Sequence, residues 1–459
     1  MRLAAVLALI MLIAACGPTA EVITTPGQPT PPPTDLPTEF PSAVPTVAPT
    51  AEPATAPPTD LGSPTPIPLT TPSPGPSESP SPAVTAVPTG FQTLTGFPVS
   101  GAYEVTDVTS KPGGFVAVGF GGLAGDVYFG VRQGIVWTSA DGINWSQSVD
   151  PALANVTPFR VAALGEDVFL FGVLTHCPQA FDETCIDVPE AGNAVWRSTA
   201  GGPWTRQPQL ADMQLGLIDD VIVAGDRMAV FGVAGDENQT TTIWLGSDGA
   251  TWTTTTDLAG LDLISSMTAG PGGAGFAAFG TDYLADIEDI ILTGAFSSDG
   301  LHFAPATIPE LPGTAIDDVV AGASGYAGVG YRTGEGTDIS GVALHSADGM
   351  IWAEATNFDL SYATSGLIEV HPLAAGFVAL GFTPHVDDFT VQDGAAWLSA
   401  DGLDWHRGAP LGGTFTELSA TALGSAGLVV FAVEHADVDE ENLSSTIHAW
   451  FAYRDALAP

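Results

Sequence analysis

Three features of the sequence predict an all-β fold, a seven-bladed β-propeller of four-stranded antiparallel blades. A glycine-bounded apolar run recurs seven times at intervals of about 50 residues, most of these runs are followed by an Asp-Gly turn flanked by tryptophan, and the last repeat stops one strand short. The early stop implies that an N-terminal strand closes the ring, after a Pro/Thr-rich linker that is disordered because it cannot build a core.

Arg2 followed by the apolar stretch Leu3 to Ile13 reads as a secretion signal, too short to span a bilayer permanently. It ends Ile13-Ala14-Ala15-Cys16-Gly17, which resembles the lipobox of bacterial lipoproteins. The resemblance implies that residues 1–15 are a removed signal peptide and that Cys16 is lipidated. Two or more acyl chains then anchor the protein stably at the extracytoplasmic face of the cell membrane. Ordinary cleavage beside an incidental thiol is the alternative reading. Residues 16–90 are mostly Pro, Thr, Ser and Ala, which favour extended polyproline II segments. They form a stalk of about 230 Å at full extension.

Residues 91–459 carry the repeats. The runs are GFVAVG (Gly114 to Gly119), DVFLFG (Asp167 to Gly172), RMAVFG (Arg227 to Gly232), GFAAFG (Gly275 to Gly280), GYAGVG (Gly325 to Gly330), GFVALG (Gly376 to Gly381) and GLVVFA (Gly427 to Ala432). Each of the first six is followed by a turn column such as VWTSADGINW (Val136 to Trp145) or AWLSADGLDW (Ala396 to Trp405). Asp-Gly between strand-like runs is a hairpin signal because the pair tolerates the positive φ that the turn demands. The final unit ends at HAWFAYRD (His448 to Asp455), its third strand, so Phe91-Gln92-Thr93-Leu94 is expected to supply its fourth.

The Ser-x-Asp-Gly-x-x-Trp turns resemble the Asp-box, or BNR, repeats of sialidase-like propellers, each box one residue shorter than the usual form. The resemblance covers about 370 residues. It implies a structural role for Asp141, Asp248, Asp299, Asp348 and Asp401, whose carboxylates bond turn backbone, and for the tryptophans, which wedge between neighbouring sheets. It implies no catalytic role for these residues.

Charge narrows the function. There are 52 Asp and Glu against 10 Lys and Arg, a formal net charge of -42, which excludes a nucleic-acid partner. The acidic loops between second and third strands are the expected binding face: residues 175–193, 235–241, 281–293, 333–341, 383–394 and 434–446. Aligned on their first buried apolar residue, the innermost strands place Asp107, Arg160, Asp220, Ser266, Asp318, Glu369 and Glu417 in a ring, one per blade. Such a ring can hold Ca²⁺, another hard cation or an amine; equally, each member can cap a backbone amide or solvate the channel. Asp387, Asp388, Asp437, Asp439, Glu440 and Glu441 are further Ca²⁺ candidates, without the complete spacing of a Ca²⁺ loop. Cys177 and Cys185, in CPQAFDETC, are expected to form a local disulfide. His176, His371, His385, His435 and His448 lack metal-ligand spacing and read as surface or packing residues.

Sialidase activity requires a cluster of arginines, and only Arg160 falls in the ring, so that activity is not expected. The reading is a non-enzymatic, lipid-anchored surface propeller that binds a protein, glycan or cation. Two alternatives stand: a secreted carbohydrate-active enzyme using two of the many carboxylates, and an assembly or scaffold protein of the envelope.

Overall fold

The computed structural model describes residues 90–122, 132–174, 192–208, 210, 213–214, 216–234, 240–283, 290–333, 339–358, 366–384, 392–439 and 442–457. Residues 1–89, which hold the expected signal peptide, Cys16 and nearly all of the expected stalk, and both loop cysteines, Cys177 and Cys185, lie outside them. The described chain is a ring of seven antiparallel sheets, as the repeats predict. Their innermost strands are Glu104–Lys111, Val156–Leu164, Leu217–Ala224, Leu263–Ala269, Thr314–Gly322, Gly366–Pro372 and Glu417–Leu423, and the sheets are numbered blades 1 to 7 in that order.

The glycine-bounded runs form the second strands, and their lack of polar alternation has a direct cause. A blade is sandwiched between two others, so both faces of its middle strands are buried, and period-2 alternation sorts apolar residues between two seams. In blade 1, Phe115 and Ala117 pack against blade 7, while Val116 and Val118 pack against blade 2. Blade 7 repeats this with Val429 and Phe431 toward blade 1, and Leu428, Val430 and Ala432 toward blade 6. The core is accordingly seven apolar clusters, one in each seam. Burial of each large side chain contributes about 1.5–3 kcal/mol, and the closure of the ring gives every blade two such partners.

The glycines that end the runs are set by a close approach. A Cβ on Gly119, Gly232, Gly280, Gly330 or Gly381 would collide with the carbonyl oxygen of the facing innermost strand.

Closure occurs where the incomplete last repeat places it. Gln92–Thr93 joins blade 7 as its outermost strand, with Gln92 opposite Phe451 and Thr93 opposite Trp450. The Leu94 amide donates to the Ala449 carbonyl at 2.8 Å. A second contact lies on the same seam, at the end of the blades where the innermost strands begin. Tyr103 stacks on Phe120 of blade 1 and on His435 of blade 7, and the Arg132 guanidinium lies 4.4 Å from the Phe120 ring centre.

The opposite face carries the Asp-Gly turns, whose glycines Gly142, Gly249, Gly300, Gly349 and Gly402 share φ values of 74–80°. Asp348 Oδ1 accepts from the amides of Met350 and Ile351, and Asp401 Oδ1 from those of Leu403 and Asp404. Asp141, Asp248 and Asp299 do the same in their turns. These amides hold Asp141, Asp248, Asp348 and Asp401 below the usual carboxylate range, Asp141 at about 2. The turn tryptophans reach back into the preceding blade. Trp145 meets Phe431, Trp252 meets Phe171 and Trp352 meets Phe279.

Candidate functional site

Each innermost strand carries a bulge at one register position, and the bulge builds the axial ring. Pairing with the second strand skips one residue between Val105 and Asp107, Pro158 and Arg160, Ile218 and Asp220, Ile264 and Ser266, Ile316 and Asp318, and Leu367 and Glu369. Six of the seven ring residues expected from the sequence therefore share one position. Glu417 does not. In blade 7 the skip falls between Leu418 and Ala420, so Ala420 holds the ring position and Glu417 pairs with Val433. That is the register of Glu104, which pairs with Phe120. The alignment slips because Phe415, the first buried apolar residue, belongs to a separate short strand that pairs with Gln392 of blade 6.

The ring side chains hold the seams together at the axis. Asp107 Oδ2 accepts from the Val161 amide of blade 2 at 2.6 Å, and Asp318 Oδ2 from the Val370 amide of blade 6 at 2.9 Å. Arg160 Nε donates to Asp220 Oδ1 at 2.8 Å, while its terminal nitrogens donate to the carbonyls of Phe159 and Asp219. Glu369 Oε2 accepts from the Thr421 hydroxyl of blade 7 at 2.8 Å. Two bulge residues that sequence reasoning missed add further bonds: Thr106 donates to the Pro158 carbonyl at 2.9 Å and Ser265 to that of Ile316 at 2.8 Å.

The axis is electrostatically loaded. Burial pushes the Asp107 carboxyl up to about 7, with Asp220 and Glu369 adding to the rise and Arg160 and the Val161 amide opposing it. One ring member thus exchanges its proton near neutrality. Nearer the strand entry, Glu104 is 7% exposed, and burial raises its pKa while Arg132 opposes the rise. Among the described residues no three His, Cys, Asp or Glu side chains converge to hold a metal ion. The Ca²⁺ candidates Asp387, Asp388, Glu440 and Glu441, and most of the acidic loop face, lie outside the described residues. No described helix is long and apolar enough to cross a membrane.

No family model and no curated protein matches the chain. Among solved structures, it is similar to YCF48 bound to D1 peptide at 11% identity and a TM-score of 0.48, over 82% of this chain and 99% of that one. Phage phi92 endosialidase is similar at 12% identity and a TM-score of 0.42, over 80% of this chain and 69% of that one. Trypanosoma rangeli sialidase is similar at 13% and 0.39, over 78% of this chain and 56% of that one. At these identities none transfers an activity to this chain.

Proposed function

We propose that the chain is a non-enzymatic, lipid-anchored propeller of the cell surface, displayed on its stalk, whose acidic loop face binds a protein, glycan or cation. On this reading Cys16 carries the acyl chains, Cys177 and Cys185 pin the longest loop, and the Asp-Gly turns are Asp-box repeats that brace the opposite face. The supporting observation is the commitment of the ring. Arg160 donates from two guanidinium nitrogens to Asp220 and the Asp219 carbonyl of blade 3 and from the third to the Phe159 carbonyl of its own strand, and Asp107 and Asp318 accept from amides of the next blade. These are joints between blades, which leaves ligand recognition to the loops.

A carbohydrate-active enzyme is the second reading, favoured by Asp107, because a carboxyl raised to about 7 suits a general acid. One experiment separates the two. The purified full chain is incubated with a glycan panel and with reporter glycosides, beside Asp107→Asn and Glu369→Gln. Binding without turnover supports the first reading; turnover abolished by either variant overturns it.

A further inference from the structure

His371 and Thr421 lie in different blades, yet His371 Nε2 is 2.5 Å from the Thr421 hydroxyl, which is itself 2.8 Å from Glu369 Oε2. A hydroxyl has one proton to give. When it points at the Glu369 carboxylate, its oxygen must accept from His371, so the imidazole carries its proton on Nε2 and leaves Nδ1 bare. The three groups form a directional chain across the seam between blades 6 and 7.

We propose that the seam between blades 6 and 7 is closed at the propeller axis by a proton-operated latch, in which Thr421 joins Glu369 to His371 and proton uptake at His371 puts a cation on the joint. A proton on His371 lands on Nδ1, keeps the chain direction and places that cation one hydroxyl away from the Glu369 carboxylate. Burial lowers the His371 pKa and Glu369 opposes the fall. The other charged groups on the neighbouring inner strands are Asp317 and Asp318 in blade 5 and Glu417 in blade 7, with Asp107, Arg160 and Asp220 in the ring. Asp318 is bonded to the Val370 amide, between Glu369 and His371.

The test is nuclear magnetic resonance of the full chain with labelled histidine, His371 being identified by His371→Gln. At pH 8 the His371 ring is expected as the Nε2–H tautomer. Glu369→Gln keeps an acceptor for Thr421 and removes the charge that opposes the fall of the His371 pKa, so it is expected to lower the His371 midpoint further. Thr421→Val is expected to release the tautomer, and Thr421→Ser to restore it, which a space-filling role would not require. An Nδ1–H tautomer in the native chain, a His371 midpoint unmoved or raised by Glu369→Gln, or a tautomer unchanged in Thr421→Val overturns the proposal.

Discussion

Trp352 and Ile351 are neighbours in the same turn of blade 5, and the fold assigns them opposite consequences. Trp352 is 5% exposed and Ile351 65% exposed. The Trp352 ring meets Phe279 of blade 4 edge-on with centroids 4.6 Å apart, and its indole nitrogen donates to the Gly349 carbonyl at 3.0 Å. A buried tryptophan removes about 150–250 Å² from water, worth about 4–6 kcal/mol at 25 cal/mol per Å². Partial collapse of the cavity brings Trp352→Ala to about 3–5 kcal/mol. Ile351→Ala removes side chain that water already covers, and its backbone contacts are retained, so its cost stays within about 0.5 kcal/mol. Urea unfolding followed by tryptophan fluorescence measures both through the midpoint. Equal costs, or a loss below about 1 kcal/mol for Trp352→Ala, would refute the claim that turn tryptophans join adjacent blades.

Leu94→Pro removes the donor to Ala449 and leaves a carbonyl of the closing sheet without its partner, at a cost of about 1–3 kcal/mol. Hydrogen exchange is expected to rise first in blade 7, and uniform or unchanged exchange counts against strand closure. Stability is expected to peak in mildly acidic solution, because two groups act with opposite sign. The folded pKa of Asp107 is raised, so its contribution is complete below the ordinary value near 4 and is lost as pH rises through about 7. The folded pKa of Asp141 is depressed, so its contribution is present above that ordinary value and is lost as pH falls toward about 2. Melting temperatures from pH 3 to pH 8 check both limbs, and Asp107→Asn should flatten only the upper one. Salt should stabilise the chain: with 52 acids against 10 bases, shortening the screening length from about 30 to about 8 Å relieves net repulsion, and a melting temperature that falls with added NaCl would contradict this.

The blade count and the closing strand were legible because the same patterns recur from repeat to repeat and the last repeat breaks off in a recognisable place. An apolar run without polar alternation records two buried faces, and Asp-Gly followed by tryptophan records a hairpin braced on its neighbour. The ring was legible in six blades and failed in the seventh, where Phe415 imitates the apolar position that Leu418 fills. The bulge left no such trace. Its residues are Thr106, Phe159, Asp219, Ser265, Asp317, Ile368 and Ser419, which share no side-chain chemistry because the skip is a property of backbone pairing. His371 read as a packing residue because its partner is 50 positions away. Once the register is known, Glu369 and Ala420 are equivalent, and His371 and Thr421 fall two and one positions beyond them.

The ring and the turns follow one rule, which the charge imbalance explains. A chain with 52 acids and 10 bases cannot give most of its carboxylates a cation. At the sites that matter to the fold it gives them backbone amides instead: Asp141 and Asp348 bond the amides of their own turns, while Asp107 and Asp318 bond amides of the next blade. An amide satisfies a carboxylate without importing charge, and a propeller has amides at fixed places because the innermost strand of each blade is a sheet edge, with amides that have no partner strand on the axial side. Where an arginine does enter the ring, Arg160 spans the seam between blades 2 and 3 and faces Asp220. Acidity on the outer surface is then free to vary, because the joints do not depend on it.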